Sequence, residues 1–147
     1  MQELFFCSDV EKMLRLRSII PIPEGISATN PLELFSILLN VGWDENTRRK
    51  NTRWDENAPY IGQSAATAIL LQRWFGGDIR SIHYASGVHY YNVVDGVIID
   101  LTYRELQDRT VDKYIDSTQY TQVQTGKASA YRTYEERVGR LIENCRR

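Results

Sequence analysis

The sequence predicts an α+β domain in which a buried helix of the N-terminal half packs on an antiparallel sheet. Three observations carry that class. Ala65 to Phe75 is apolar on nearly every face, which a helix tolerates only when covered all round. Residues 78 to 101 contain strand-like runs broken by Asp95-Gly96, a two-residue hairpin signal because both positions tolerate positive φ. Val138, Leu141, Ile142 and Cys145 fall at helical spacing with charged residues outside them, so the chain closes with an amphipathic helix.

The 147 residues suit one domain spanning 1–147, long enough to bury a sizeable core. Eighteen basic and nineteen acidic residues leave a net charge of −1, which implies no global attraction to nucleic acid or anionic lipid. Cys7 and Cys145 stand near opposite ends, outside any metal-ligand spacing, and are expected as reduced thiols. Neither a leader nor an apolar run of bilayer length is evident, so the expectation is a protein of the cytoplasm, or one delivered without a cleaved signal peptide.

Taken in order, Ser8-Asp9-Val10-Glu11 has capping-box spacing and predicts a helix from about 9 to 18, ended by Pro21 and Pro23. Asn30-Pro31-Leu32-Glu33 predicts a second, over 31 to 41, with Asn30 as cap. Residues 42 to 59 read as a long polar loop holding Trp43, Arg48, Arg49, Arg53 and Trp54, and long loops in compact domains are disproportionately functional. Gly76-Gly77 stops the buried helix. Strands follow at 78 to 84, 88 to 94 and 97 to 101, then a capping box at Thr102 to Glu105 and a short helix. Thr121 to Gln124 alternates like an edge strand, and Thr133 is placed to cap the last helix.

The candidate chemistry comes from the hairpin register. With Asp95-Gly96 as the loop, paired positions sum to 191, so His89 and Asp100 become diagonal neighbours on one face. A carboxylate behind a histidine holds one tautomer and stabilises the imidazolium, as a general base requires. Ser64, in the first turn of the buried helix, is the candidate nucleophile position, where amides and the helix dipole favour an anion. Its backbone amide is the better oxyanion donor, with Gln63, Trp54 and Asn57 as further oxyanion or substrate-binding candidates. Read singly, Ser64 is a helix cap, His89 a bonded strand residue and Asp100 a strand end. His83 lacks a partner at fixed spacing and reads as surface.

Gly62-Gln63-Ser64 resembles the Gly-Gln-Cys opening the catalytic helix of transglutaminases, and His89-Tyr90-Tyr91-Asn92 with Ile99-Asp100-Leu101-Thr102 resembles their His and Asp strands. More closely, residues 54 to 102 resemble small bacterial YunG-like proteins, with Ser64 where that pattern has cysteine. The resemblance implies a papain-like or transglutaminase-like fold and thiol acyl transfer by a Cys-His-Asp triad: peptide or isopeptide hydrolysis, deamidation or transglutamination of a protein or peptide. It implies no cofactor and no metal. An engineered exchange, a natural inactive relative and a working serine hydrolase all remain open for Ser64. The alternative function is a catalytically silent module recognising protein or peptide through the aromatic loop Trp43 to Trp54.

Overall fold

The computed structural model describes residues 4–49, 52–84, 87–106, 118–120 and 128–146. Five antiparallel strands, β1 (Phe6–Cys7), β2 (Asp78–Tyr84), β3 (Gly87–Val94), β4 (Val97–Asp100) and β5 (Thr118–Tyr120), lie in the order β1-β4-β3-β2-β5. The helices are α1 (Val10–Arg15), α2 (Pro31–Ile37), α3 (Ser64–Phe75) and α4 (Ala128–Cys145), and α2 continues into a π-helical turn at Leu38–Gly42. The α+β class follows directly.

The hairpin forms in the predicted register. Asp95 and Gly96 take φ of 50° and 79°, and Val94 pairs with Val97, Val93 with Ile98 and Asn92 with Ile99. Asn30 caps α2 by accepting from the Glu33 amide at 3.0 Å. Gly76 and Gly77, at φ of 81° and 79°, stop α3 as predicted. A Cβ on Gly77 would collide with the Val93 carbonyl oxygen and lie 2.9 Å from Val94 Cα, so this turn needs glycine for space as well as for φ.

Three predicted boundaries change. Asp9, not Ser8, caps α1, accepting from the Lys12 amide at 3.1 Å. Ser8 extends the sheet instead: its amide donates to Ile98 O at 3.0 Å and its Oγ accepts from the Ile98 amide at 2.8 Å, prolonging the unpredicted β1. With its cap one residue later and its end at Arg15, α1 is shorter than the helix expected over 9 to 18. The last helix begins at Ala128, five residues before the expected cap at Thr133. The edge strand expected at 121 to 124 lies outside the described residues, while β5 pairs with β2 just before it.

Side-chain alternation divides the sheet into two unlike faces. Asn92 Nδ2 donates to Ala68 O at 2.9 Å, so Tyr90, Asn92 and Val94 of β3, with Val97 and Ile99 of β4, face α3. That face joins the main core with Leu34, Leu38, Leu70, Leu71, Trp74, Val138 and Leu141. The opposite face carries Ile82, Tyr91, Val93 and Ile98, with Phe6, Tyr103 and Leu106, as a second, smaller core. As its composition predicts, α3 is covered almost all round, leaving only Arg73 exposed. Cys7 and Cys145 are buried free thiols.

Candidate functional site

Ser64 opens α3 but does not cap it. Gln63 is the cap residue, without a side-chain capping bond, and Ser64 Oγ accepts the Tyr90 amide at 3.1 Å. In the hairpin register Tyr90 would next face Leu101, but the β3–β4 ladder ends at Asn92 and Ile99. The serine hydroxyl thus takes a strand amide at the point where β4 parts from β3.

His89 projects onto the face opposite α3, because it alternates with Tyr90 and shares its side of β3 with Tyr91. As the register predicts, Asp100 reaches it: His89 Nε2 lies 2.7 Å from Asp100 Oδ2, and both side chains are fully buried. Asp100 is held in turn, its Oδ1 accepting from the Thr102 amide and hydroxyl at 3.1 and 3.3 Å. The other imidazole nitrogen is also occupied, Nδ1 standing 2.8 Å from Glu105 Oε1.

A neutral imidazole carries one N–H and cannot donate to two carboxylates. The arrangement therefore suits an imidazolium donating from both nitrogens. Burial alone would lower the His89 pKa, but the charge and hydrogen bond of Asp100, followed by those of Glu105, overcome it and push the value up to about 9.

Glu105 is the residue that sequence reasoning misassigned. Read as the far end of a capping box, it instead turns away from Thr102, in the 3₁₀ turn Tyr103–Glu105, toward His89. Its second oxygen accepts the Gly62 amide at 2.6 Å. Glutamate three residues after threonine signals a cap equally well in both cases, so only the long-range placement of His89 distinguishes them. Gly62, at φ of 80°, has the Thr52 side chain where its own would be. Its carbonyl oxygen accepts from the Arg49 amide at 2.8 Å and from Arg137 Nη2 at 3.1 Å.

Arg137 was likewise missed, appearing only as one charge on an amphipathic helix. It is buried on α4, with Nε donating to Thr47 O at 2.9 Å, and ties that helix to the loop entering α3. Burial is the main influence lowering its pKa, with Arg49 adding to it and Tyr134 and Glu105 opposing.

The remaining candidates scatter. Gln63 is fully buried and its Nε2 donates to Asp44 O at 3.1 Å, away from an oxyanion role. Asn57 is exposed in a turn where its amide donates to Asp55 Oδ1 at 2.9 Å. Trp54 is half-buried, and among the described residues neither it nor Asn57 is hydrogen-bonded to Ser64 or His89. Trp43, expected in a recognition loop, is a core residue: its indole N–H donates to the buried Thr67 hydroxyl at 2.9 Å, which lets the ring pack edge-on to Phe35. His83 is exposed. Among the described residues no cluster of three or more His, Cys, Asp or Glu side chains could hold a metal ion, and no helix is long and apolar enough to cross a membrane.

The sequence model described as YunG protein matches residues 31–143, which span all of this constellation. The chain belongs to the YunG family. Within it, the uncharacterized protein YunG of Bacillus subtilis (strain 168) is 30% identical over 87 residues, covering 59% of this chain and 73% of that relative. No solved structure gives a significant match. The family match includes α2, α3, β2 to β4 and most of α4, the elements that supply Ser64, His89, Asp100, Glu105 and Arg137.

Proposed function

We propose that this chain is a catalytically silent protein- or peptide-binding member of a papain-like or transglutaminase-like architecture. One observation carries the reading: both nitrogens of His89 are engaged by carboxylates, Asp100 at 2.7 Å and Glu105 at 2.8 Å. A general base needs an unprotonated nitrogen within reach of the nucleophile. Here that nitrogen is spent on Glu105, and Ser64, which accepts the Tyr90 amide from the α3 side of β3, has no hydrogen bond to His89 among the described residues. A hydroxyl also loses its proton less readily than a thiol, so it depends more on the base that this arrangement withholds.

Thiol acyl transfer, with Ser64 in the place of a cysteine, is the second reading. The features that favour it are the buried His89–Asp100 pair and Ser64 in the first turn of a twelve-residue helix, bonded to the amide of the residue after His89. It requires Glu105 to leave Nδ1. Ser64→Cys, followed by alkylation at neutral pH and peptide mapping, separates the two. A silent site leaves Cys at position 64 no more reactive than an ordinary thiol. Rapid labelling that His89→Ala abolishes would overturn silence and establish the acyl-transfer reading. The unsubstituted chain is expected to resist a fluorophosphonate probe at Ser64, and labelling there would identify a working serine hydrolase.

A further inference from the structure

Strand β3 outruns one of its neighbours. It extends from Gly87 to Val94, and β2 pairs with it as far as Gly87, but the ladder to β4 stops at Asn92 and Ile99. In a two-residue hairpin the residues flanking the turn exchange main-chain bonds, so Val94 and, by alternation, Asn92, Tyr90 and Val88 turn their amides toward the side that β4 occupies. The Tyr90 amide obeys this rule and is taken by Ser64 Oγ at 3.1 Å. Val88, next in the alternation, has no main-chain bond on that side among the described residues. Main-chain groups left unpaired in a folded chain face water, and Val88 is only half-buried.

Beside this opening lies a cation without an anion. The Arg49 guanidinium rests over Gly87, with Nη1 2.8 Å and Nη2 3.4 Å from where a Cβ would stand, so the glycine leaves it room. Gly87 alternates with Val88, which places the half-buried Arg49 on the His89 side of β3, at the end of the strand. Its Nε has no hydrogen-bond partner, and among the described residues no carboxylate stands within ion-pair distance of it. The main chain of Arg49 is nonetheless fixed on both sides. Its amide donates to Gly62 O at 2.8 Å, and its carbonyl accepts from the Thr52 amide and hydroxyl at 3.1 and 2.6 Å. An arginine anchored at its backbone and given no acceptor is placed for one that arrives, at a reduced cost in ordering.

We infer that Val88 and Arg49 form a docking point for an extended acidic peptide, running antiparallel to β3 as β4 does. One peptide residue bridges Val88, donating its amide to the Val88 carbonyl and accepting the Val88 amide. Alternation sends the following side chain, opposite Gly87, onto the side where Arg49 lies, so an Asp or Glu there meets the guanidinium. Toward Tyr90 the edge is closed by Ser64, and past Gly87 the strand ends, so the bridge is single and the charge supplies the selectivity. The ligand displaces water and breaks no bond within the chain. The inference rests on the binding reading above and names the chemistry of its ligand.

The test titrates amidated acetyl-Thr-Val-Glu-Val-Thr into the unsubstituted chain, with the Val88 amide resonance followed by heteronuclear NMR. The resonance should shift saturably, and the peptide carrying Gln in place of Glu should bind at least about fivefold more weakly, the scale of one charge-assisted bond. Arg49→Gln should bind the two peptides alike. N-methylating the valine before Glu, which removes the donor to the Val88 carbonyl, should abolish the shift. No saturable shift at Val88, equal binding of the Glu and Gln peptides, or a preference for Glu that survives Arg49→Gln would each overturn the docking point. Acetyl-Thr-Val with a free C-terminus binding as tightly as the Glu peptide would overturn the acidic side chain as its ligand. The Glu and Gln comparison needs no substitution in the chain, so it decides the matter even where Arg49→Gln does not fold. Rapid alkylation of the Ser64→Cys chain would sink catalytic silence without moving these shifts, and absent shifts beside an inert thiol would sink the docking point alone.

Discussion

Raising the pH should unload His89 and weaken the fold by a predictable amount. The imidazole has an ordinary value of 6.5 and is held at about 9 in the folded chain, where Asp100 and Glu105 outweigh the opposing effect of burial. A raised folded-state pKa means that the native state binds this proton more tightly than the unfolded chain. The stabilisation is therefore fully present below about pH 6.5, declines as pH rises, and is gone above about pH 9. The rise from 6.5 to about 9 corresponds to about 3 kcal/mol, and because both His89 and Asp100 are fully buried it is little screened by solvent. With a urea slope of about 1–3 kcal/mol/M, the midpoint should fall by about 1–3 M between pH 6.5 and 9. Urea melts at half-unit pH steps measure this, with His89→Gln as the reference that lacks the titrating group. A flat midpoint across that window, or the same slope in His89→Gln, would refute the doubly bonded imidazolium.

Three further outcomes follow from the packing. Arg137→Met keeps the apolar stem but takes the donor from the Thr47 carbonyl and leaves the Gly62 carbonyl with the Arg49 amide alone, and should cost about 1–3 kcal/mol in urea melts. Gly77 and Gly96 share φ of 79°, yet a Cβ on Gly96 meets nothing within 4 Å whereas one on Gly77 strikes the β3 backbone. Gly96→Ala should cost about 1 kcal/mol for its backbone alone and Gly77→Ala at least about 2 kcal/mol more, a difference read from paired thermal melts. Burial pushes the Cys145 thiol from 9.0 up to about 11, which cuts its thiolate fraction about a hundredfold at neutral pH. Native Cys145 should react with Ellman's reagent at least about a hundredfold more slowly than in urea, and Cys7, buried with its pKa also raised, adds the other slow background thiol to the Ser64→Cys measurement.

What was legible in the sequence was written locally. The Asp95-Gly96 turn, the Asn30 cap and the Gly76-Gly77 stop each depend on a few neighbouring residues whose backbone preferences admit few alternatives. Ser8 and Glu105 failed the same kind of reading for one shared reason. Each side chain fits a capping box, and each is drawn instead to a group more than ten residues away, Ser8 to Ile98 and Glu105 to His89. For Glu105 a cap of about 1 kcal/mol competes with charge-assisted bonds to His89 and Gly62, which contribute more, and for Ser8 the hydroxyl and amide together extend the strand pairing on Ile98.

The placement of His89 relative to Ser64 was beyond local signals for a different reason. Alternation puts His89 and Asp100 on one face with certainty once the hairpin register is set, but it does not say which face receives α3. Both faces are apolar: Ile79, Val94, Val97 and Ile99 on one side, and Ile82, Tyr91, Val93 and Ile98 on the other. Asn92 breaks the tie, because its amide can be buried only where a helix carbonyl meets it, and Ala68 O does so at 2.9 Å. With α3 fixed there, the loop through Gly62 and Ser64 must cross the edge of β3 where β4 departs, touching the Glu105 carboxylate on one side and the Tyr90 amide on the way. The residues expected to form one catalytic cluster are thereby divided by a strand. Glu105, bonded both to His89 and to Gly62, is the side chain that joins the two sides, and its substitution is the perturbation to which the whole site should respond most.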